Sequence, residues 1–545
     1  VYDKRLPPEK VVSLIKNNMT LALCGFTLIG ACETFLRTLE NHYLSHGNPK
    51  NLTLIHAAGH SDKVNGIEHL SHKGLVKRII GSHWGLAPRW GKLIHNNEVE
   101  AHCLSQGQLT HLFRAMAAGK PGNISKVGLG TFLDPRIEGG RINDKAKESE
   151  ALIDILTIDD EEYLFYKEIP IDVCVLRGTT ADEFGNVTME DEALKLEALS
   201  IAQATKRYGG TVIVEVKHYA KYGTLHPKQV VIPGVFVDHV IIAKDPINNH
   251  RQTSSTFFDP RYSGDLRIPV DVIKPIPLNV RKVIGRRAVK ELHPCAVVNL
   301  GTGIPGDTIG PVSSEEGILD DIILTVESGT IGGIPMGGTD FGITINADAI
   351  IEHAYQFDFY NGRGVDITFM GAAEIDSHGN VNVSKFGTRT VGCGGFIDIT
   401  QNAKKVVFCS TFTTGGLKVD IQGGKLHILN EGKLRKFVND VGHITFSGKV
   451  GLQNEQEVIY VTERAVFKLT PQGLMLTEVA PGIDIEQDIL AHMGFTPVIS
   501  PDLKKMDYRI FEDGAMGIRG EFLEALNNNK EFGVLFKNEK EEVKQ

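Results

Sequence analysis

Apolar residues along this chain alternate between short continuous runs and runs spaced three and four apart, and the two patterns follow one another repeatedly. Residues 8–18 (PEKVVSLIKNN) carry helical spacing behind Pro7 and Pro8, which suit a helix start. A strand, LALC (21–24), follows, then GFTLIG (25–30) and an amphipathic helix, ETFLRTLENHYL (33–44). LTLIHAA (52–58), LVKRIIG (75–81) and EAHCL (100–104) read as further strands, and Ser105-Gln106-Gly107 leads into a helix over 108–119. Buried strands alternating with helices predict a mainly parallel sheet covered on both faces. The rhythm fades over 122–168, where glycines 128, 130, 139 and 140 around FLDPRIEGGR suggest an ordered loop. VCVL (173–176), IVEVKHYA (213–220) and FVDHVIIA (236–243) resume the sheet.

Residues 245–280 hold five prolines and a polar start, the composition of a connection between domains. Beyond them the order restarts with a helix RKVIGRRAVKEL (281–292), a strand CAVVNL (295–300) and a turn GTGIPG (301–306). Gly301 and Gly306 repeat the spacing of Gly25 and Gly30. LRGTTADEFGNVT (176–188) matches FMGAAEIDSHGNVNV (369–383), each with an aspartate, Asp182 or Asp376, three residues before Gly-Asn-Val. The chain therefore reads as two related, open, mainly parallel α/β domains, 1–245 and 281–525, joined by a linker at 246–280 and ending in a polar tail, 526–545. Between its landmark glycines, 25 and 185, the first half spans 160 residues, against 78 between 301 and 379 in the second. An insertion near 65–165 follows, and a cleft between the halves is the natural site.

Composition narrows the class. At 545 residues the chain exceeds one core, and 41% hydrophobic with 23% charged residues is ordinary for a soluble protein. Its 58 glycines are more than the usual ~7%. A net charge of −9 without a Lys/Arg tract argues against nucleic acid as a partner. No run reaches the ~18–20 apolar residues of a membrane span, and VYDKRLPPEK lacks a signal-peptide core. Seven scattered cysteines (24, 32, 103, 174, 295, 393, 409) read as reduced thiols in a cytoplasmic protein. Cys24 and Cys32 lack metal-ligand spacing, so no metal is expected.

The candidate chemistry centres on Glu327. It closes the apolar run 322–326, and five of the next eleven residues are glycine. A carboxylate at the C-terminal lip of a strand lies where α/β sheets place ligands, and such glycine density marks close backbone approach. The plain alternative is a solvated glutamate in a flexible loop. GTGIPG also fits GxGxxG, with Glu327 21 residues beyond Gly306, so an NAD-dependent oxidoreductase competes. Pro305 and the missing middle glycine of GFTLIG count against it. P-loop, GxSxG and HExxH motifs are absent from the sequence, and His83-Trp84 reads as structural. Glycine-rich stretches at 301–306, 328–338 and 392–395 offer N–H donors for an oxyanion. A glutamate ionised at neutral pH attacks activated acyl groups directly, which points to acyl transfer.

The stretches SQG (105–107), VNLGTGIP (298–305), VESGTIGGIP (326–335), FMGAAEIDSHGNV (369–381), GCGGFIDIT (392–400) and TERAVFKLTPQGLMLTEVAPGID (462–484) stand in one order. On them the chain resembles family I CoA-transferases, of the bacterial short-chain acyl-CoA:acetate kind with both halves in one polypeptide. One departure is CGFTLIG (24–30), where many members have paired glycines. The resemblance implies ping-pong exchange through a thioester of CoA with Glu327. Gln106, Gly394 and Gly395 would form the oxyanion hole, and Asn299, Gly301, Gly303, Gly332 and Gly333 would contact CoA. It also implies acyl-CoA and carboxylates as the small-molecule partners, no cofactor besides the CoA substrates, and a cytoplasmic homo-oligomer, dimer or tetramer. The alternatives left open are an acyl-CoA thioester hydrolase and a non-enzymatic CoA or sugar-phosphate sensor. Gln106 could equally anchor its loop, and the glycines could serve only to turn the chain.

Overall fold

Each half is organised around one sheet. The computed structural model describes residues 3–269 and 274–528. The N-terminal sheet has strands β1 (Thr20–Leu23), β2 (Leu52–His56), β3 (Val76–Gly81), β4 (Glu100–Cys103), β5 (Val173–Arg177), β6 (Thr211–Val216) and β7 (His239–Ile242). Their order is β7-β6-β5-β1-β2-β3-β4, and every pair is parallel. β2 and β5 are buried along their whole length, which is why they read as continuous apolar runs.

The C-terminal sheet has strands β8 (Val297–Leu300), β9 (Ile323–Val326), β10 (Thr330–Ile331), β11 (Ala349–Ile350), β12 (Ile367–Gly371), β13 (Lys405–Cys409), β14 (Glu457–Val461), β15 (Ala465–Thr470), β16 (Gly473–Val479) and β17 (Val498–Lys505). Their order is β11-β10-β9-β8-β12-β13-β14-β15-β16-β17. The centre, β9 to β14, is parallel like the first sheet; antiparallel pairs extend it on both flanks, and β17 joins β16 in parallel at the far edge. Five helices matter to the site: α1 (Gln106–Ala117), α2 (Ala198–Arg207), α3 (Ile304–Glu315), α4 (His353–Asn361) and α5 (Phe396–Asn402).

The relation between the halves is visible in the ladders. Leu21 of β1 lies opposite Leu54 and Val173, and Val298 of β8 lies opposite Leu324 and Ile367. The numbering offset that takes Val173 to Ile367 also takes Asp182 to Asp376, Gly185 to Gly379 and Thr211 to Lys405. The Asp-x-x-Gly-Asn match is one turn made twice. Asp182 accepts from the Phe184 and Asn186 N–H groups and from Asn186 Nδ2 at 3.0, 2.9 and 2.9 Å. Asp376 accepts the equivalent three bonds from His378 and Asn380, each 3.0 Å. Gly185 and Gly379 sit at φ 89° and 75°, the left-handed region that glycine tolerates without strain. Gly25 and Gly301 both lie just past a strand end, but the ladder places Gly301 against Cys24, one residue out of register with the expected match.

Several expectations need correction. Residues 122–168 are not simply a loop. Gly122–Ser125, Ile153–Ile158 and Glu161–Lys167 form a three-stranded antiparallel sheet whose middle strand is Glu161–Lys167. That middle strand starts with exposed acids and alternates burial only at its far end, so its period was masked. The first helix stops at Val12 rather than Asn18. IVEVKHYA is split: β6 ends at Val216, and His218–Ala220 joins a separate four-stranded sheet. The connection at 246–280 contains two one-turn helices, Pro246–Asn249 and Pro260–Ser263, and is tied to the second half. Ser255 Oγ donates to Asp340 at 2.6 Å, and the Ile268 N–H donates to Asn346 Oδ1 at 2.9 Å. Each half has its own apolar core, but Ile343, Ile345, Cys393 and Ile397 of the second half pack into the first. The last helix is Arg519–Asn528, and the remainder of the polar tail lies outside the described residues.

Candidate active site

Glu327 stands where β9 reverses into β10. The Gly329 N–H closes the bend on Val326 O at 3.2 Å. Gly329 has φ 121°, and a Cβ there would lie 2.3 Å from Ile351 O, so only glycine fits. Helix α4 fastens this corner from beneath. Gln356 Nε2 donates to Val326 O at 3.1 Å, Tyr360 Oη to Thr325 Oγ1 at 2.8 Å, and Asn299 Nδ2 to Tyr360 Oη at 3.2 Å. The glutamate is only 9% exposed. Burial pushes its pKa up to about 7, opposed by its own backbone N–H. Full ionisation at neutral pH, expected from sequence, is therefore replaced by a carboxyl that titrates near neutrality.

A cavity of about 220 Å³ joins the halves at this point. Glu327, Gly301, Gly394 and Gly395 line it from the second half, and Gln106 and His83 from the first. Phe26, Phe341 and Met370 supply apolar wall, and no Lys or Arg is among the lining residues. The glycine loop before α5 is laced to the first half: Trp84 N–H donates to Val391 O at 2.7 Å and Gly394 N–H to Ser82 O at 2.9 Å. A Cβ on Gly392 would lie 2.3 Å from Ser82 O, which accounts for glycine there. His83, expected from sequence to be structural, lies between these two anchors and faces the cavity, with burial lowering its pKa to about 4.

Ser105-Gln106-Gly107 acquires a physical reading. Asp398 of α5 caps the start of α1, accepting from Gly107 N–H at 3.0 Å, Gln108 Nε2 at 2.8 Å and the Ser105 hydroxyl. Gly107 must be glycine, since a Cβ would sit 2.5 Å from both Asp398 Oδ1 and Phe357 Cδ1. Burial pushes the Asp398 pKa up despite these bonds. Gln106 is thereby fixed across the cleft from Glu327. Its Nε2 lies 2.8 Å from His353 Nε2, and His353 Nδ1 lies 2.6 Å from Glu197 Oε2. Sequence reasoning missed Glu197, His353 and Asp398, whose partners lie 156 to 293 residues away.

The other expected residues divide. Gly394 lines the cavity, but its N–H is already bonded to Ser82, so it has no donor to offer. The Gly395 N–H, at the N-cap of α5, has no partner among the described residues. Gly303 is the exposed N-cap of α3, at φ 81°, with open space around it. Asn299 is fully buried and is bonded to Tyr360 and to Thr368 Oγ1, the latter at 3.0 Å, so its side chain is used inside the fold. Gly332 and Gly333 do not line the cavity. Their φ values are 75° and 72°, and added Cβ atoms would meet Asp348 Oδ2 at 2.0 Å and Ile345 O at 2.3 Å. They are glycines because the Asp348 side chain packs on Gly332 and the 345–346 backbone on Gly333. Among the described residues no group of three or more His, Cys, Asp or Glu is arranged to hold a metal, and no helix is long and apolar enough to cross a membrane.

Comparison with known proteins gives the chain a family. The coenzyme A transferase family profile matches residues 6–243. The chain is 45% identical over 514 residues to the acetate CoA-transferase YdiF of Escherichia coli K12, covering 94% of this chain and 96% of that one. It is 43% identical over 516 residues to the caffeate CoA-transferase of Acetobacterium woodii, covering 94% and 98%. The crystal structure of the acyl-CoA transferase YdiF from E. coli O157:H7, a thioester complex with CoA, matches at a TM-score of 0.88 and 43% identity over 95% of this chain and 97% of that one. With near-complete coverage of relatives this similar, and the same two-sheet architecture, the chain belongs to the coenzyme A transferase family.

Proposed function

We propose that this enzyme moves CoA from a short-chain acyl-CoA to a free carboxylate such as acetate, with Glu327 as the covalent nucleophile. The observation that carries this reading is a buried carboxyl, at the bend between β9 and β10, sharing one cavity with Gln106 and an unpaired Gly395 N–H. The acetate specificity in the name of the E. coli relative supports the acceptor class.

In the first step a Glu327 oxygen attacks the thioester carbonyl, whose oxygen gains negative charge. The Gln106 amide and the Gly395 N–H stabilise that charge in a site with little water. The C–S bond breaks, CoA leaves as thiolate, and an acyl-glutamyl anhydride remains. The thiolate then attacks the glutamyl carbonyl, releasing the first carboxylate and leaving a Glu327–CoA thioester. The acceptor carboxylate repeats the two steps in reverse. One thioester is exchanged for another, so the exchange consumes no separate activating agent. A pKa near 7 makes Glu327 a stronger nucleophile than an exposed carboxylate while leaving it substantially ionised.

The apolar walls and the lack of a cationic lining residue favour a short monocarboxylic acyl group over one with a second charge. The exposed Gly303 and the cavity-lining Gly301, flanking the start of α3, are the backbone best placed to meet the CoA arm. The resemblance extends the reading to a cytoplasmic homo-oligomer, which sedimentation of the purified protein tests. Incubation with acetyl-CoA and no acceptor should leave a CoA-sized mass adduct on the peptide containing Glu327. An unmodified Glu327 peptide after turnover with labelled acyl-CoA refutes the covalent scheme.

A further inference from the structure

Gln106 can stabilise an oxyanion only if its amide presents N–H, not C=O, to the cavity. The two ends of an amide are nearly identical in shape, so packing alone does not choose between them. His353 does. It is fully buried, with its ring between those of Phe26 and Phe357 at centroid distances of 6.2 and 5.4 Å. Nδ1 lies 2.6 Å from the equally buried Glu197 carboxylate, and Nε2 lies 2.8 Å from Gln106 Nε2. A carboxylate only accepts, so Nδ1 carries a proton, and the Nε2 that meets the Gln106 amide nitrogen at 2.8 Å acts as its acceptor. The group facing it must be the Gln106 NH₂, which gives one N–H to His353 and leaves the other for the cavity.

We propose that Glu197 and His353 are positioning residues that set the orientation of the Gln106 amide. Glu197 selects the histidine tautomer, and the histidine selects the amide face. The chain crosses the cleft twice, because Glu197 and Gln106 belong to the first half and His353 to the second, at the start of α4. It couples the docking of the halves to the assembly of the oxyanion site. The titratable groups facing the His353 ring are Glu197 directly and Glu327 across the cavity corner. The proposal rests on Gln106 acting as an oxyanion donor.

The test is a mutant cycle on the full chain. Gln106→Ala should lower kcat for transfer by ~10²-fold, as loss of one oxyanion donor does elsewhere. His353→Phe keeps a ring in the same seat but removes the acceptor, and should lower kcat at least ~10-fold with KM for acyl-CoA changed less than about twofold. In the Gln106→Ala background His353→Phe should have no further effect, because nothing remains to be oriented. His353→Gln offers an N–H to Glu197 and a C=O to Gln106, and should recover most of the loss. Glu197→Gln, nearly isosteric and safe for folding, lets the tautomer reverse and should also lower kcat without raising KM. A harmless His353→Phe and Glu197→Gln, or losses that add to that of Gln106→Ala, overturn the relay while leaving the Gln106 assignment standing. A harmless Gln106→Ala instead removes the oxyanion reading itself, and the relay with it.

Discussion

The two halves carry the same parallel sheet, and their ladders place Ala57 and Glu327 at equivalent points. Ala57 is three residues beyond Leu54, as Glu327 is three beyond Leu324. After β2 the chain crosses over to the parallel strand β3, and Ala57 is sealed in the core. After β9 the chain turns back at once into the antiparallel β10, and the bend thrusts Glu327 to the cleft. One topological corner thus serves as packing in one half and carries the proposed nucleophile in the other. The first half contributes instead Gln106, Glu197 and the Ser82–Trp84 segment that holds the glycine loop. Related domains need not both carry chemistry when the site lies between them, because one can supply charge and the other the groups that receive it.

The harshest way to break this asymmetry is Glu327→Gln, which keeps shape but removes the proposed nucleophile. Transfer should fall by ~10³-fold or more, since a covalent route through this residue has no substitute. Retention of more than about a tenth of wild-type kcat in a thioester-exchange assay would show that the bend is not the reactive corner. Next is Glu327→Asp, which keeps the charge but withdraws it by about one methylene. A loss of ~10²-fold is expected, with hydrolysis rising relative to transfer as water enters the gap. Equal loss of both activities would count against the geometry argued for the bend.

The energetic side of the comparison is gentler. With a folded pKa of about 7, above its ordinary 4.5, Glu327 holds its proton more tightly in the folded state. Its protonated form therefore supports the fold at low pH, and that support is lost as pH rises from about 4.5 through about 7. Glutamine does not titrate, so the stability of Glu327→Gln relative to wild type, read from Tm and converted to unfolding free energy, should increase between pH 5 and 8 by on the order of 3 kcal/mol. A difference in Tm that stays flat with pH would contradict the burial of the charge. Transfer by the wild type should rise over the same range as the carboxylate forms. The smallest effect concerns what the halves share. Asp182→Ala and Asp376→Ala each remove the same three bonds from the same turn, and each should cost about 1–3 kcal/mol in urea unfolding. Clearly unequal losses would mean that the twin turns bear different loads.

Much of the fold was legible because it depends on short-range rules. Strands buried on both faces are mostly apolar, so β2 and β5 stood out despite the buried Thr53, His56 and Arg177 they carry. A turn needing a left-handed residue and a side-chain acceptor writes itself as Asp-x-x-Gly-Asn, so the repeat appeared twice in the letters. Glu327 at the end of an apolar run, followed by dense glycine, was visible for the same local reason. The antiparallel sheet within 122–168 escaped because its strands bury few positions and show their acids to solvent.

Tertiary structure alone decided which glycines belong to the site. Gly395 lines the cavity with an N–H unpaired among the described residues, Gly394 is spent on Ser82, Gly332 yields to the Asp348 side chain and Gly333 to the backbone at 345–346. The letter is the same in each case because glycine records only the absence of a Cβ, not what fills the space. The pairing of His353 with Glu197 and Gln106, the capping of α1 by Asp398 and the raised pKa of Glu327 were likewise silent in the sequence. Each depends on groups brought together from distant parts of the chain, and on how much water the surrounding atoms exclude, and neither leaves a periodic trace along the residues themselves.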